Sequence, residues 1–295
     1  MAGMGLEYVN ADVELRHLRA FAAVAMSGSY TAASKDLLIT QPALTRTVQQ
    51  LEAVLGTRLL DRNSRSVGLT PTGEVFLSKV LAILSDVDRA VLSVKGHQEL
   101  RLGFQWILPV PWATEVISEF ERNSSATVIL MRRDDVASHL ERAELDVAIT
   151  RTRLSPESFV HTQLFEEERV AVVSTSSSLA DRDSIDWLEL AEHPIVVNVV
   201  NGTTRAELWP VDRRPRQVVT CGNYDEWLSL VVAGRGVGAL PSSAARATSH
   251  PQIRFIPLTG APPVSVWLVY QPRRQNPLVR KFVALAMEVR ERLSA

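Results

Sequence analysis

The sequence predicts an α/β protein made of an N-terminal winged helix-turn-helix, a long linker helix and a two-lobed C-terminal domain. Residues 13–70 combine short segments with apolar residues at helical spacing and a basic two-stranded ribbon. Residues 71–96 carry apolar residues at steps of three and four. From residue 99 to 295, short strands alternate with helices, which is typical of an α/β domain. A chain of 295 residues is long enough for about two such domains.

The first two helices follow from apolar spacing and cap residues. Leu15, Leu18, Phe21 and Val24 recur at steps of three, which indicates a helix beginning near residue 12 or 13. Ser29 is a good N-cap, and residues 30–37 after it are compatible with a short second helix. The two helices therefore form the first part of a helix-turn-helix.

The third helix and the wing complete this domain. Thr40 is an N-cap, Pro42 suits the first helical turn, and Gly56 is a C-cap. One face carries apolar residues at spacings of four and three, whereas the opposite face is polar and basic. Residues 59–62 and 65–69, separated by an Asn-Ser turn, then indicate a two-stranded ribbon.

A narrow apolar seam runs along the linker helix. Its members are Leu77, Val80, Leu84, Val87, Val91 and Val94. Their alternating steps of three and four are the a/d pattern of a coiled coil. We expect this seam to mediate dimerisation, because a single helix between two domains has no other core to pack against. The alternative is a helix packed on its own domain.

The C-terminal domain reads as mainly parallel sheets in two lobes. The predicted strands are residues 100–104, 126–132, 146–150, 169–174, 194–199, 237–240 and 264–270. Lobe I comprises about residues 99–161 and 266–295, and lobe II about residues 162–265. The last helix, at residues 277–292, carries a wide apolar face for packing on the sheet.

Composition and charge limit the class of protein. With 32 basic and 33 acidic residues, the net charge is −1, so any nucleic-acid site has to be local. No apolar run approaches the ~18 residues that a membrane span needs. A single cysteine, Cys221, and first residues without a basic and apolar leader fit the cytoplasm. Scattered histidines and the lack of a Cys-x-x-Cys pair predict no metal site and no cofactor.

The start of the third helix suits the major groove of double-stranded DNA. Gln pairs with adenine and Arg with guanine, while Pro, Ala and the Thr methyl contact a thymine methyl. Wing arginines and the start of the second helix suit phosphate groups. The candidate DNA contacts are Ser29, Tyr30, Thr31, Gln41, Pro42, Ala43, Thr45, Arg46, Gln49, Arg62 and Arg65. The alternative is that these residues only coat a solvated surface.

The segments LRHLRAF at 15–21, GSYTAA at 28–33 and TQPALTR at 40–46 resemble the N-terminal domain of LysR-type transcriptional regulators, as does the chain from 51 to 73. The resemblance implies a sequence-specific regulator of promoter DNA, modulated by a small-molecule effector in a periplasmic-binding-protein-like domain. It also implies a homodimer or homotetramer, with RNA polymerase as a further candidate partner. At Leu38 we expect the turn to depart from the family's conformation, because Gly, Asn or His tolerates positive φ better.

In a two-lobed α/β domain, ligands bind beyond the carboxyl ends of the strands, in the crevice between the lobes. The resemblance implies that the loops at this place line the effector site. The candidate effector contacts are Phe104, Gln105, Trp106, Thr150, Arg151, Asn198, Gly202 and Thr203. Phe104 and Trp106 are bulky where family members that bind small carboxylates often carry Ser or Thr, which favours an apolar or aromatic ligand. The alternative for Trp106 is packing beneath the cleft.

Two other functional classes account for the sequence less well. The sequence has no nucleophile elbow, phosphate-binding loop or metal-spaced histidines, so we expect no enzymatic activity. A cytosolic solute-binding protein with N-terminal helices used only for assembly would explain the cleft. It would not explain the polar face at residues 41–46 or the basic wing.

Overall fold

A computed structural model describes residues 12–63, 66–94, 98–272 and 276–294, without the side chains of residues 62, 63, 66, 92, 93 and 294. The chain forms two compact units, Met1–His97 with Glu141–Glu144, and Gln98–Leu140 with Leu145–Ala295. Within the described ranges, no helix has the length and apolar character needed to cross a membrane.

The N-terminal unit has the predicted order of elements. It consists of α1 (Leu15–Ser27), α2 (Tyr30–Asp36), α3 (Gln41–Leu55), β1 (Leu60–Asn63), β2 (Ser66–Leu69) and α4 (Pro71–Val94). Helix α1 begins two to three residues later than expected because Glu14 and His17 form a reciprocal cap there. Strands β1 and β2 pair antiparallel as the predicted ribbon.

Local caps fix the placement of the helix-turn-helix. Ser29 Oγ accepts a hydrogen bond from the backbone N–H of Ala32 (3.3 Å), and Thr40 Oγ1 accepts one from that of Ala43 (3.4 Å). Gly56 ends α3 in the left-handed conformation, at φ 64°. The cap residues therefore position α3 as the sequence predicts.

The turn between α2 and α3 corrects one expectation. Leu38 has φ 56°, so the turn has the left-handed geometry although no glycine occupies this position. The expected departure from that geometry is wrong. The hydrogen bonds from Leu38 N to Lys35 O (3.1 Å) and from Ile39 N to Ser34 O (3.0 Å) hold the turn.

The ribbon is attached to both neighbouring helices. Glu52 Oε1, on α3, accepts hydrogen bonds from the backbone N–H groups of Leu59 (2.8 Å) and Leu60 (3.1 Å). Thr70 lies just before α4. Its hydroxyl donates a hydrogen bond to the carbonyl oxygen of Arg58 (2.9 Å). These bonds join α3, the ribbon and α4 to one another.

The linker helix only partly presents the predicted seam. Val80 is completely buried in the N-terminal core, and Leu77 and Leu84 pack half-buried against that core. The argument that this helix has no other core is therefore wrong for its first half. Further along, Val91 is 49% exposed and Val94 is 88% exposed.

The C-terminal unit alternates strands and helices. In chain order, its elements are β3 (Glu99–Phe104), α5 (Trp112–Ser124), β4 (Thr127–Arg132), α6 (Val136–Glu141), β5 (Val147–Thr150), β6 (Val160–Glu167), β7 (Arg169–Ser174), β8 (Ile185–Asp186), α7 (Trp187–Leu190), β9 (Ile195–Asn198), β10 (Val218–Cys221), α8 (Tyr224–Val232), β11 (Gly238–Pro241), α9 (Ser242–Ala247), β12 (Ile253–Thr259), β13 (Val264–Tyr270) and α10 (Pro277–Ser294). Strands β6, β8, β10 and β12 were not predicted.

Lobe I is a mixed sheet, which corrects the expectation of mainly parallel sheets. Its strand order is β4-β3-β5-β13-β6. Strand β3 pairs parallel with β4 and β5, whereas β13 pairs antiparallel with β5 and β6. Helices α5 and α10 bury Phe120 and Phe282 edge-to-face at 5.2 Å between ring centroids, in the core beside the sheet.

Lobe II contains a four-stranded sheet and a parallel strand pair. The sheet has the order β11-β7-β12-β8, with β7 antiparallel to both neighbours, and β9 pairs parallel with β10. Because β6 belongs to lobe I, the chain enters lobe II at Glu168 rather than at 162. It returns before β13 begins at Val264, slightly earlier than the predicted residue 266.

Candidate functional site

Helix α3 separates an apolar face from an exposed polar face. Leu44, Val48 and Leu51 are completely buried in the N-terminal core. The candidate DNA contacts on the other side, Gln41, Pro42, Ala43, Arg46 and Gln49, are exposed, and Thr45 is half-buried. Within the described residues, no hydrogen bond or ion pair engages the side chains of Gln41, Arg46 and Gln49. These donors and acceptors are available to an external partner.

The remaining candidate DNA contacts lie on α2 and the ribbon. Ser29 caps α2, Tyr30 is half-buried and Thr31 is exposed, so the first turn of α2 reaches solvent. Arg62 lies on β1, but its side chain is outside the described part of the structure, and Arg65 lies wholly outside it. The wing contacts therefore remain predictions.

An aromatic and polar pocket lies beside the carboxyl ends of β3 and β9. Its empty volume, including space open to solvent, is about 310 Å³. The lining residues are Trp106, Asn198, Gly202, Thr203, Thr204, Tyr224, Trp227, Ala239 and Leu240. Four predicted effector contacts, Trp106, Asn198, Gly202 and Thr203, are thus brought together.

Trp106 forms the lobe I wall of the pocket. It is only 7% exposed, and its ring stacks on Tyr224 at 6.5 Å between centroids, with Tyr224 in turn 5.9 Å from Trp227. Burial raises the pKa of Tyr224, while the hydrogen bond between its hydroxyl and that of Thr248 opposes that rise. Trp106 therefore both packs as a buried aromatic residue and lines the pocket.

Asn201 joins the two lobes beside this wall. Its Oδ1 accepts hydrogen bonds from Trp106 Nε1 (2.9 Å) and Asn198 Nδ2 (2.7 Å). Its Nδ2 donates to the backbone oxygen (3.2 Å) and a carboxylate oxygen (3.0 Å) of Asp134. A more exposed ion pair, Arg132 with Asp225 at 3.2 Å, also spans the lobes. The lobes are thus connected directly across the cleft.

Four predicted effector contacts do not line this pocket. Phe104 packs against the core of lobe I. Gln105 and Thr150 are buried and bond to each other, with 3.0 Å between Thr150 Oγ1 and Gln105 Oε1. Arg151 is also buried and is not among the residues that line this pocket.

The guanidinium of Arg151 is used within the protein. Its Nε donates to Glu167 Oε2 (2.8 Å), Nη1 to the carbonyl oxygen of Ile107 (2.9 Å) and Nη2 to Ser243 Oγ (3.0 Å). Its carbon Cζ lies 5.6 Å from the centre of the Trp106 ring. Arg151 thus supports Trp106 and connects both lobes instead of lining the pocket.

Arg169 is a second buried arginine beside the pocket and was not predicted. Its Nη1 donates to Thr203 Oγ1 (3.1 Å) and Thr204 Oγ1 (3.4 Å), and its Nη2 donates to the carbonyl oxygen of Thr203 (2.8 Å). Its Nε donates to the carbonyl oxygen of Pro262 (2.8 Å). Burial lowers the pKa of Arg169 to about 10.

Sequence reasoning also missed Asn201, Thr204, Tyr224 and Trp227. Asn201 and Thr204 lie in the loop after β9, which contains two predicted effector contacts. The sequence could therefore indicate where they lie but not which residues they contact. Tyr224 and Trp227 follow the N-cap Asn223 at helical spacing, which signals a helix but not a pocket. In the described part of the chain, no group of three or more His, Cys, Asp or Glu side chains could hold a metal ion.

The fold and these surfaces define a two-domain DNA-binding regulator, with a helix-turn-helix in one unit and a two-lobed ligand-binding domain in the other. Family comparisons match residues 15–74 to "Bacterial regulatory helix-turn-helix protein, lysR family" and residues 95–291 to "LysR substrate binding domain". The chain belongs to the LysR family of transcriptional regulators. The helix-turn-helix match decides against a solute-binding protein.

Similar proteins agree along most of the chain. The HTH-type transcriptional regulator YnfL of Escherichia coli K12 is 33% identical, with 92% of this chain and 97% of YnfL covered. The Hca operon transcriptional activator HcaR of the same organism is 28% identical, covering 94% and 98%. The crystal structure of CbnR, a LysR family regulator, has a TM-score of 0.73 at 23% identity, covering 94% and 99%. A structure of full-length CbnR with its target DNA has a TM-score of 0.72 at the same identity, covering 94% and 100%.

Proposed function

We propose that this regulator binds promoter DNA with the exposed face of α3 in the major groove. The observation that carries the proposal is a set of exposed side chains on α3, whose opposite face is completely buried. Among the described residues, these side chains have no hydrogen-bond or ion-pair partner: Gln41, Arg46 and Gln49. Ser29, Tyr30 and Thr31 hold phosphate at the start of α2, and Arg62 and Arg65 contact the duplex from the wing. DNA binding is further supported by the similar fold of CbnR, which has been solved in complex with its target DNA.

Selection of genomic DNA fragments by the purified protein tests this proposal. One promoter region is expected to be enriched, with an affinity that falls steeply as salt increases. Gln41→Ala and Arg46→Ala should each weaken binding to that fragment by about 10-fold or more, since a good bidentate base contact contributes about 1–3 kcal/mol. Arg122→Ala, which removes an exposed arginine from the other unit, is the matched control. The proposal is contradicted if the protein binds all DNA fragments equally well. It is also contradicted if Arg122→Ala lowers the DNA affinity as much as Gln41→Ala and Arg46→Ala do.

A small-molecule effector in the pocket modulates that binding. The pocket lining combines aromatic rings with amide and hydroxyl groups, and the hydrogen bonds of Asn201 join the two lobes next to it. A ligand that binds two arrangements of the lobes with different affinity shifts the population between them. The protein acts in the cytoplasm as a regulator without enzymatic activity, and RNA polymerase is its further partner at the promoter.

The protein associates with a second copy through α4. Ile83, Val87, Val91 and Val94 form an apolar stripe on the second half of the helix, in place of the predicted seam. Ile83, Val91 and Val94 in this stripe are exposed in the chain. Pairing of effector domains then makes a homotetramer, for which exposed Ile129 and Leu130 on the edge strand β4 supply apolar surface.

Sedimentation of variants distinguishes the stripe from the rest of α4. Val94→Asp is expected to shift the protein toward the monomer, because an aspartate would have to be desolvated in the interface. Val75→Asp is the matched control, since Val75 is 62% exposed on α4 but lies on another face. Unchanged association of Val94→Asp, or equal loss in both variants, would exclude this interface.

A further inference from the structure

Three arginines lie within four consecutive residues on the surface of lobe II. Residues 213–216 have the sequence Arg-Arg-Pro-Arg, and the three arginines are exposed. Among the described residues, none offers the side chains of these arginines a hydrogen bond or an ion pair. Asp212 precedes them, so residues 212–216 carry three positive charges and one negative charge. We call residues 213–216 the arginine segment.

The chain before the arginine segment is fixed to the core of lobe II. The ring of Trp209 is buried and stacks on that of Trp187, with 3.9 Å between the ring centroids. Trp209 Nε1 also donates a hydrogen bond to the carbonyl oxygen of Trp187 (2.8 Å). The backbone N–H of Arg213 donates to the carbonyl oxygen of Pro210 (2.9 Å) and closes a helical turn. The arginines therefore extend from an ordered backbone.

The chain after the arginine segment is fixed as well. Pro215 favours an extended backbone at the residue before it, and Arg214 accordingly has φ −64° and ψ 145°. Strand β10 begins at Val218 and pairs with β9. The carbonyl oxygen of Gln217 accepts a hydrogen bond from the backbone N–H of Ile195 (3.0 Å). Because both ends of the segment are held, a partner that binds it has little backbone entropy to remove.

The arginine segment lies at the opposite end of the β9–β10 pair from the aromatic and polar pocket. The two strands are parallel, with Val218 opposite Ile195 and Cys221 opposite Asn198. Asn198 lines the pocket at the carboxyl end of β9, whereas the arginine segment precedes the first residue of β10. The strands between these ends rise by about 10 Å. The segment is therefore a separate surface and not a part of the pocket.

We propose that the arginine segment binds the phosphate backbone of the promoter DNA, outside the base pairs that α3 contacts. The planar guanidinium group matches the geometry of a phosphate and binds it with two parallel hydrogen bonds. Residues 213–216 span about 10 Å when extended, and one strand of a duplex presents about three phosphates over that length.

DNA is the partner that the rest of the chain favours for this surface. Helix α3 holds the same chain on the duplex, so phosphate groups reach the arginine segment at a high effective concentration. A separate acidic protein has no such advantage. The inference rests on the DNA binding proposed for α3 and adds a second contact surface that does not read bases.

The salt dependence of DNA binding by the full-length protein tests this inference. The test variant combines Arg213→Gln, Arg214→Gln and Arg216→Gln, and the probe is the selected promoter fragment. Each phosphate contact contributes about 0.9 to the slope of log affinity against log salt, so three contacts contribute about 2.7. Between about 50 and 200 mM salt, the wild type should therefore lose about 40-fold more affinity than the variant. An unchanged slope overturns the proposal.

A second triple variant separates phosphate contact from a general loss of positive charge. It combines Arg122→Gln, Arg254→Gln and Arg280→Gln, which remove the same charge from exposed positions elsewhere in the C-terminal unit. This control should keep the slope of the wild type. If the control and the test variant lower the slope equally, the effect belongs to the charge of the whole protein and the proposal is overturned.

A conservative variant and a stability measurement exclude a folding defect. Arg213→Lys, Arg214→Lys and Arg216→Lys together should keep most of the slope, because lysine also neutralises a phosphate. Urea unfolding of the glutamine variant should match that of the wild type, since the replaced side chains are exposed and make no contacts with described residues. A slope that falls as far with lysine as with glutamine contradicts the phosphate contact.

Unrelated DNA of the same length distinguishes this inference from the proposed function of α3. Phosphate contacts carry no sequence information, so the test variant should lower the slope on unrelated DNA as well. If the wild type prefers one promoter fragment and the test variant keeps its slope, the inference fails and the proposed function stands. If the wild type prefers no fragment, the proposed function fails, and the slope on unrelated DNA still decides whether the arginine segment binds phosphate.

Discussion

Replacing Asn201 with alanine removes the main hydrogen-bonded connection between the lobes. Four hydrogen bonds disappear, and the buried indole N–H of Trp106 loses its acceptor. A net hydrogen bond contributes about 1 kcal/mol, and a buried donor without a partner costs about 1–3 kcal/mol. We therefore expect Asn201→Ala to lower the free energy of unfolding by about 3 kcal/mol.

A double-mutant cycle with Trp106→Phe isolates the bond between these two side chains. Phenylalanine keeps an aromatic ring but has no N–H, so the double variant leaves no orphaned indole N–H. The double variant should consequently lose about 1 kcal/mol less than the sum of the two single variants. All six tryptophans lie in the C-terminal unit, at positions 106, 112, 187, 209, 227 and 267, so tryptophan fluorescence during urea unfolding follows that unit.

The control for this cycle is Asn223→Ala. Asn223 caps α8 through a hydrogen bond of 2.9 Å to the backbone N–H of Glu226 and makes no bond to Trp106. The loss in free energy of unfolding caused by Asn223→Ala should add to the loss caused by Trp106→Phe. If the Asn201 and Trp106 variants also add within about 0.5 kcal/mol, the reasoning about this contact is refuted.

Three further predictions concern other parts of the chain. Gly238→Ala should cost about 2 kcal/mol in urea unfolding, because the new Cβ would lie 2.0 Å from the Trp227 ring; Gly68→Ala, with open space around it, should be neutral. Burial lowers the pKa of His161, so protonation favours the unfolded chain, and stability is lost as the pH falls through about 6.5. The loss in melting temperature between pH 7.5 and 5.5 should be smaller in His161→Gln, and an equal loss would contradict this. Leu38→Asn should raise the melting temperature of the N-terminal unit followed by circular dichroism, because asparagine tolerates φ 56° better and the leucine is 91% exposed; a lower melting temperature would contradict the strain argument.

The N-terminal unit could be predicted closely because its signals are local. Thr40, Pro42 and Gly56 define α3 within the sequence that forms it, and the structure places the helix between the same caps. The predicted seam on the linker helix was wrong where burial depends on tertiary contacts. The spacing of the apolar residues does not show that Val80 packs into the core of the N-terminal unit.

The α/β class of the C-terminal domain could be predicted from the sequence, whereas the pairing of its strands could be predicted only in part. Strand β12 contains Pro257 and pairs with β7 about eighty residues earlier, so its sequence lacks the usual local pattern of a strand. The pocket shows the same limit. The loop after β9 could be nominated from its place at a strand end, but the contacts of Asn201 and Arg169 depend on residues far away in the chain.

The carboxylate of Glu52 has a consequence for how DNA is selected. Because it accepts hydrogen bonds from the backbone N–H groups of Leu59 and Leu60, it ties helix α3 to the start of strand β1. A duplex that meets both has to bend or change its groove width wherever its resting shape does not match. The free energy of that deformation depends on the stiffness of base steps that no side chain touches. The proposed binding mode therefore predicts that base pairs between the helix and wing contacts contribute to operator preference through their flexibility.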